Sequence, residues 1–159
     1  MTGPDSETGA AVRVPPPFVP LIALVIGAVV QWGLGPLSSP IMGTSRWLVG
    51  TVLLATGVAV LLRANGHFRR TGQDPQPWKM SPELIGDGIY ARTRNPMYLS
   101  MGIMQAALGI LFANLWIVLF VPATWWVIYR IAIRHEEAYL ESRFGDRYVA
   151  YKRRVRRWL

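Results

Sequence analysis

Two short polar stretches of this chain stand directly beside apolar runs, and both carry side chains capable of chemistry. The first is Arg94-Asn95-Pro96-Met97-Tyr98, and the second ends in Glu136-Glu137. Ionisable groups at membrane depth are costly and are usually retained for a function. Between the two stretches lie apolar residues 99–113 and 115–129, separated by Asn114. A helical hairpin that turns at Asn114 would bring the two polar stretches together.

Counting along the two arms supports this arrangement. With Asn114 at the turn, Tyr98 lies level with Arg130, and Arg92 lies level with Glu136. Each arm is ~24 Å long at ~1.5 Å per helical residue, which nearly crosses a ~30 Å hydrocarbon core. Both stretches are therefore expected at the same membrane face.

The side chains at that face suit a small zwitterionic ligand with an aromatic base. Donors for an anion come from Arg94, Arg130 and the free N–H groups of the helix that starts at Pro96. Carboxylates for a cation or a sugar diol come from the two glutamates, and tyrosine rings offer stacking. S-adenosylmethionine fits this set, but the residue types alone do not choose it over other nucleotides.

Each motif also has a purely structural explanation. Asn is a preferred N-cap and Pro is suited to the first helical position, which accounts for Asn95 and Pro96. Gly86 and Gly88 on either side of Asp87 fit a sharp turn. The glutamate pair fits a solvated run of charges.

Composition indicates an all-α integral membrane protein with one domain. The chain has 159 residues, of which 52% are apolar, and includes seven tryptophans. Four spanning helices are predicted near residues 18–37, 47–62, 98–113 and 115–133. The second and third runs are shorter than the ~20 residues usual for a span, which leaves open that one is a partial span.

The distribution of positive charge predicts the orientation. Sixteen of the seventeen lysines and arginines fall in the N-terminal tail, in residues 63–97 and in residues 130–159. Cytoplasmic loops carry this excess, so both termini are expected in the cytoplasm.

An amphipathic helix is predicted for residues 136–158. Its apolar face comprises Leu140, Phe144, Tyr148, Tyr151, Val155 and Trp158. Basic amphipathic helices lie on anionic leaflets, and this explanation of the net charge of +8 is favoured over nucleic-acid binding.

Two further features narrow the possibilities. There is no cysteine, and His67 and His135 belong to no metal-ligand spacing, so no metal site is expected. Residues 1–17, with their run of three prolines, are predicted to be a disordered tail, and residues 18–159 a single membrane domain.

A set of motifs in this order resembles the isoprenylcysteine carboxyl methyltransferase and phospholipid methyltransferase superfamily, over about residues 47 to 157. The motifs are Phe68-Arg69-Arg70-Thr71-Gly72, Pro77-Trp78, Leu84, Gly86-Asp87-Gly88-Ile89-Tyr90, Arg94-Asn95-Pro96-Met97-Tyr98, Glu136-Glu137-x-x-Leu140 and Phe144-Gly145-x-x-Tyr148-x-x-Tyr151. The paired blocks with a hydrophobic hairpin between them are more specific than any one block.

The resemblance implies an enzyme that binds S-adenosylmethionine between its last two helices and the cytoplasmic C-terminal segment. Tyr90 lies in one matching block, Arg94, Asn95, Pro96 and Tyr98 match the block that lines the cofactor pocket, and Glu136 and Glu137 match the glutamates that hold the cofactor. Arg130 and Glu137 are the catalytic candidates, with Arg134 competing with Arg130. Asn95 stands where the prenylcysteine enzymes have His, and bacterial relatives also have Asn at this position. The resemblance therefore implies that the protein lies in a bacterial inner membrane.

The substrate expected from these features is a lipophilic or lipid-like molecule that reaches the cytoplasmic leaflet site through the bilayer and is methylated in line. The acceptor, the atom methylated and the oligomeric state stay open. Two alternatives are an NADPH-dependent enzyme related to the membrane sterol reductases and a non-catalytic adaptor whose basic tail binds lipid.

Overall fold

The computed structural model describes residues 10–12, 14–38, 43–70 and 83–159, and this part of the chain is helical with no strand. Its helices are α1 (Phe18–Leu34), α2 (Ser45–Arg70), α3 (Pro96–Leu111), α4 (Leu115–Leu119), α5 (Val121–Ile128), α6 (Arg134–Phe144) and α7 (Asp146–Arg154). A 3₁₀ turn, Gly88–Ala91, precedes α3, and a π-helical segment, Tyr129–Ile133, joins α5 to α6.

Each of the four predicted apolar runs corresponds to helical structure, but the helix bounds differ from expectation, since α1 ends at Leu34 and α3 at Leu111. Ser45–Phe68 and the continuous path Leu115–Phe144 are long and apolar enough to cross a membrane. Helices α1 and α3 have 17 and 16 residues and are shorter. The second run was expected to be short, yet α2 continues past Arg63 for a further seven residues, because hydropathy marks a membrane boundary and not the end of a helix.

The outward faces of α1 and α2 are apolar. Large exposed side chains on these two helices are Phe18, Leu21, Ile22, Val25, Ile26, Val29, Trp32, Leu34, Trp47, Leu48, Val52, Val58 and Leu62. Soluble monomers rarely expose contiguous apolar patches of this kind, whereas a lipid-facing helix surface has this composition. The exposed surface therefore agrees with a membrane environment.

Helix α3 folds back against the following helices, and small residues allow their close approach. A β-carbon at Gly102 would overlap the Trp125 indole, and one at Gly109 would overlap Val118. The Gln105 side chain donates a hydrogen bond to the Ile117 carbonyl at 3.0 Å. The hairpin glycines thus serve packing within the protein.

Asn114 is the turn residue of this hairpin. Its side-chain oxygen accepts a hydrogen bond from the Ile117 amide at 3.3 Å, which caps α4. Its amide nitrogen donates to the Gly27 carbonyl of α1 at 3.0 Å. One buried side chain therefore fixes both the turn and the position of α1 against it.

The helical path from residue 115 to 144 is interrupted twice. It breaks at Phe120, one residue before the first turn of α5, which contains Pro122. It then widens into the π-helical segment Tyr129–Ile133. A π turn holds one more residue than an α turn, so it rotates everything after it by ~100° relative to a continuous α-helix.

The C-terminal part differs from the predicted single helix over residues 136–158. Helix α6 ends at Gly145, whose φ of 53° breaks the helix, and after α7 the backbone of Val155 is extended. Tyr148, Tyr151 and Val155 are buried together against Leu84, Leu140 and Phe144. The apolar stripe was predicted to lie on a leaflet, but it packs into the protein because a second apolar surface is available there.

The N-terminal segment also has packed residues. Ala10 and Val12 are buried against Tyr98, Ile128 and Ala132. These two residues belong to the stretch 1–17 whose composition predicts disorder, and their burial shows that apolar side chains within that stretch find a partner surface. Residues 1–9 and 13 of that stretch lie outside the described residues.

Candidate functional site

Glu137 is the centre of an ion-pair cluster at the end of the hairpin. The Arg157 guanidinium binds it through two parallel hydrogen bonds of 2.8 Å, from Nε to Oε1 and from Nη2 to Oε2. Arg94 Nη1 lies 3.1 Å from Oε1 on another side. The Glu137 side chain is only 14% exposed, so both arginines offset the cost of burying its charge.

Arg94 holds unused hydrogen-bonding capacity. Its side chain is 10% exposed, and its Nε and Nη1 groups have no hydrogen-bond partner, because the approach of Nη1 to Glu137 lacks hydrogen-bond geometry. A buried guanidinium with free N–H groups is costly unless something accepts them. The arrangement therefore suits an anionic group bound beside Glu137.

Glu136 faces a different partner from its neighbour. The Tyr98 hydroxyl donates a hydrogen bond to Glu136 Oε1. Tyr98 is itself held in place, since the Trp125 indole N–H donates to its carbonyl at 3.1 Å. The two predicted motifs, on α3 and α6, thus meet through Tyr98 with Glu136 and through Arg94 with Glu137.

Asn95 and Pro96 begin α3 as predicted, but Asn95 does not cap it. Pro96 is the first helical residue, and no side-chain capping bond is made. The Asn95 side chain instead donates to the Arg157 carbonyl at 3.1 Å, and the Thr93 hydroxyl donates to the same carbonyl at 3.1 Å. The Asn95 side chain is therefore oriented by the Arg157 carbonyl and not by the amides of the first turn of α3.

Tyr90 lies in the 3₁₀ turn before α3, and its carbonyl accepts a 2.7 Å hydrogen bond from the Tyr151 hydroxyl. Burial raises the pKa of Tyr90 well above its ordinary value, and the nearby Tyr151 and Glu136 raise it further. Burial likewise raises the pKa of Tyr148 to about 12. These hydroxyls stay protonated at neutral pH, so neither of them acts as a base there.

Gly88 meets two requirements in the turn that carries Tyr90. Its φ is 56°, and a β-carbon there would overlap the His67 imidazole. His67 Nδ1 also lies 3.5 Å from the exposed carboxylate of Asp87. The Gly-Asp-Gly motif therefore forms a tight turn against α2, which was the structural explanation of that motif.

Arg130 is not brought to this cluster. It is exposed, and its guanidinium lies over the Trp126 ring at 5.6 Å. In a continuous α-helix Arg130 and Glu137, seven residues apart, would share a face. The π-helical segment between them removes that relation, and its presence was not evident in the sequence.

Sequence reasoning missed two members of the cluster. Arg157 was assigned to a basic surface helix and Thr93 was given no role. In the structure Arg157 binds Glu137, and the Thr93 hydroxyl donates to the Arg157 carbonyl. Only the pairing of distant segments reveals them. Parts of two motifs, residues 71–82, lie outside the described residues, as do the side chains of Arg69 and Arg70. In the described part of the chain, no three His, Asp or Glu side chains are placed to hold a metal ion.

An apolar groove of about 560 Å³ adjoins the cluster. It runs between α1, α2 and α3, and its lining includes Pro16, Leu24, Leu61, Met101 and Leu108. Tyr98 also lines it. Because the hydroxyl of the same residue binds Glu136, Tyr98 belongs to both the groove and the polar cluster.

The comparisons with known proteins agree with this architecture. The profile of the phospholipid methyltransferase family matches residues 45–147, which is well over half of the chain. The chain belongs to that family, whose members are membrane methyltransferases. No solved structure matches the chain significantly.

Two relatives illustrate the extent of the match. A fission-yeast (Schizosaccharomyces pombe) protein-S-isoprenylcysteine O-methyltransferase is 38% identical over 72 residues, 45% of this chain and 30% of that protein. An uncharacterized protein of Haemophilus influenzae is 45% identical over 67 residues, 40% of this chain and all of that protein. The chain thus spans less than a third of the yeast enzyme. These matches favour neither the reductase nor the adaptor alternative.

Proposed function

We propose that this chain is an S-adenosylmethionine-dependent methyltransferase of the membrane that acts on a lipid-like acceptor. The observation that carries the proposal is the double role of Tyr98, which lines the apolar groove and binds Glu136 through its hydroxyl. A site for a polar methyl donor and a site for an apolar acceptor adjoin at this residue. The family assignment supplies the reaction class.

The polar cluster fits the amino-acid head of S-adenosylmethionine. The free N–H groups of Arg94 would donate to the carboxylate, and the unused lone pairs of Glu137 would accept from an ammonium or a ribose hydroxyl. A cationic side chain that can bind an anion and a carboxylate that can bind a cation lie side by side, which is what a zwitterionic ligand requires. When bound, the cofactor supplies an electrophilic methyl group on a sulfonium.

The contribution of the protein is mainly positional. Holding two reactants in a near-attack pose is worth up to ~7–11 kcal/mol in well-oriented systems. Tyr98 is fixed by Trp125 and Glu136, which makes it a rigid boundary between the two sites. A carboxylate acceptor needs no base, whereas an ammonium acceptor must lose a proton, and we assign that proton to Glu136 because Glu137 is engaged by two arginines.

The groove suits the hydrocarbon part of the acceptor. Apart from Asn65, Gln105 and Tyr98, the side chains that line it are aliphatic, methionine or proline. It also lies among helices whose outward faces are apolar, so an acceptor dissolved in the bilayer would not have to cross water to reach it. Entry from the cytoplasmic leaflet, with both termini cytoplasmic, completes the proposal.

The first test is binding of labelled S-adenosylmethionine to the purified protein in nanodiscs. We expect wild-type binding, and a loss of about tenfold or more in Arg94→Ala, since a charge-assisted hydrogen bond contributes roughly 1.5–3 kcal/mol. Arg153→Ala, an exposed arginine of α7, is the matched control and should bind as wild type. Absence of binding at high micromolar cofactor would refute the proposal.

The second test identifies the acceptor. Membranes containing the protein are incubated with cofactor carrying a labelled methyl group, and the extracted lipids are analysed by mass spectrometry. We expect label in a lipid-soluble product. Its loss with Glu136→Gln indicates an ammonium acceptor that must first lose a proton, and its retention indicates an acceptor that needs no base. Label confined to water-soluble products would contradict a lipid-like acceptor while leaving the methyl-donor assignment intact.

A further inference from the structure

Residues 155–158, here called the clasp, join the two halves of the candidate site. Val155 is buried with Tyr148 and Tyr151, and the Trp158 ring lies 5.4 Å from that of Trp125. Between these anchors the clasp runs beside the start of α3. The clasp lies outside the range 45–147 that matches the family profile.

The backbone of the clasp is bonded to the residues before α3. The Arg94 amide donates to the Arg156 carbonyl at 3.0 Å. The Arg157 carbonyl accepts from both Thr93 and Asn95. Thr93 and Asn95 are 1% and 8% exposed, so these bonds are shielded from water and hold the clasp in one register.

The side chain of Arg157 then reaches Glu137 from this fixed backbone. Its guanidinium lies 4.9 Å from the centre of the Tyr129 ring and forms the two parallel bonds to the carboxylate. A planar fork that meets both carboxylate oxygens fixes the plane of the carboxylate as well as its position. The hydrogen bond to Glu137 also raises the pKa of Arg157, so its charge is retained.

From these contacts we infer that Arg157 is a positioning residue, which orients the Glu137 carboxylate so that its free lone pairs and the free N–H groups of Arg94 face one ligand. The inference rests on the proposed function, because the ligand is the zwitterionic head of the methyl donor. Arg157 itself acts through Glu137. Arg94 and Arg157 have distinct tasks, since Arg94 has unpartnered donors and Arg157 is the fork that binds both oxygens.

The test compares four full-length proteins for binding of S-adenosylmethionine in nanodiscs: wild type, Arg157→Ala, Arg157→Lys and Arg154→Ala. Arg157→Ala should bind about tenfold more weakly, the size expected for loss of a charge-assisted fork. Arg157→Lys should recover only part of the affinity, because an ammonium keeps the charge and lacks the fork. Arg154, the last residue of α7, is a nearby arginine with an exposed side chain, and its variant should bind within about twofold of wild type.

Chemical rescue separates orientation from folding. Millimolar ethylguanidinium should restore binding to Arg157→Ala and leave Arg154→Ala unchanged, because a free guanidinium can replace the Arg157 side chain but cannot refold a misfolded protein. Failure of both the lysine variant and ethylguanidinium to restore any affinity would overturn the inference.

Two other outcomes are equally decisive. Binding by Arg157→Ala at wild-type strength would refute the inference alone, and tighter binding would show that Arg157 competes with the ligand for Glu137. A wild-type protein that binds no S-adenosylmethionine would refute the proposed function, so the two failures are distinguishable.

Discussion

The polar cluster around Glu137 and the apolar groove adjoin at Tyr98 but are built differently. The cluster is held by directional hydrogen bonds and an ion pair of 2.8–3.1 Å, which join Glu137 to Arg157, Glu137 to Arg94 and Asn95 to the Arg157 carbonyl. The groove is lined almost entirely by apolar side chains that make no directional bonds. A directional site discriminates between ligands by their hydrogen-bonding groups, whereas an apolar groove mainly measures length and bulk. We therefore expect strict selection of the methyl donor and looser selection of the acceptor.

The largest effect is expected from Glu137→Gln in the polar cluster. The change removes the charge that both arginines bind and leaves the buried Arg94 guanidinium without a counter-ion, so cofactor affinity should fall by about a hundredfold or more. Glu141→Gln is the matched control, because Glu141 makes an exposed pair with Lys152 that contributes little. Equal affinities for the two variants, measured by calorimetry, would remove Glu137 from the site.

A backbone change tests how rigidly the polar cluster is supported. Gly88→Ala places a β-carbon at positive φ and against His67, so the free energy of unfolding should fall by about 1–3 kcal/mol. Gly66→Ala is the comparison, since a β-carbon there meets no atom and alanine favours the helix by up to ~1 kcal/mol. Thermal unfolding in detergent should rank the two variants on opposite sides of wild type. A Gly88 variant as stable as wild type would mean that the turn adjusts freely.

Substitutions of Asn95 should lower cofactor affinity less, and the order of the alanine and aspartate variants is informative. Asn95→Ala removes one hydrogen bond to the Arg157 carbonyl, and cofactor affinity should fall by about fivefold for a loss of ~1 kcal/mol. Asn95→Asp has nearly the same shape but turns an acceptor toward that carbonyl, so it should bind more weakly than the alanine variant. The opposite order in a binding titration would show that Asn95 acts through something other than the clasp.

The smallest effect on the affinity for the methyl donor is expected from a substitution in the groove. Leu61 lines it and its neighbour Leu62 is 65% exposed, so Leu61→Trp fills the groove while Leu62→Trp does not. Leu61→Trp should lower methyl transfer to the extracted lipid and change cofactor affinity by less than about twofold, because apolar bulk acts on the acceptor only. Equal transfer by the two tryptophan variants would place the acceptor elsewhere.

The sequence was sufficient for the convergence of the two motifs. Apolar runs on both sides of Asn114 predict a hairpin, and Tyr98 with Glu136 and Arg94 with Glu137 do meet. The helix start at Pro96 follows from local backbone preferences, which act within a few residues. The use of Asn95 could not be predicted, because the carbonyl that it binds belongs to a segment 62 residues away.

The fate of the C-terminal apolar stripe shows another limit. Periodicity established that Tyr148, Tyr151 and Val155 share a surface, but a stripe packs equally well on a leaflet or on protein. The deciding partners, Leu84 and the Tyr90 carbonyl, lie far away in sequence. The placement of Arg130 over Trp126 could not be predicted for a similar reason, since its direction depends on a π turn that no residue composition marks.

That wide turn at Tyr129–Ile133 has a mechanical consequence. The extra residue of the π turn rotates everything after it about the helix axis. Removing one residue there would restore an ordinary α-helix and rotate Glu136 and Glu137 by roughly a quarter of a turn, given ~100° per residue. The span would lose only ~1.5 Å of length, so insertion in the bilayer would scarcely change. Direction and length are therefore set independently in this helix, and a one-residue deletion can redirect Glu136 and Glu137 while leaving the apolar length of the helix almost unchanged.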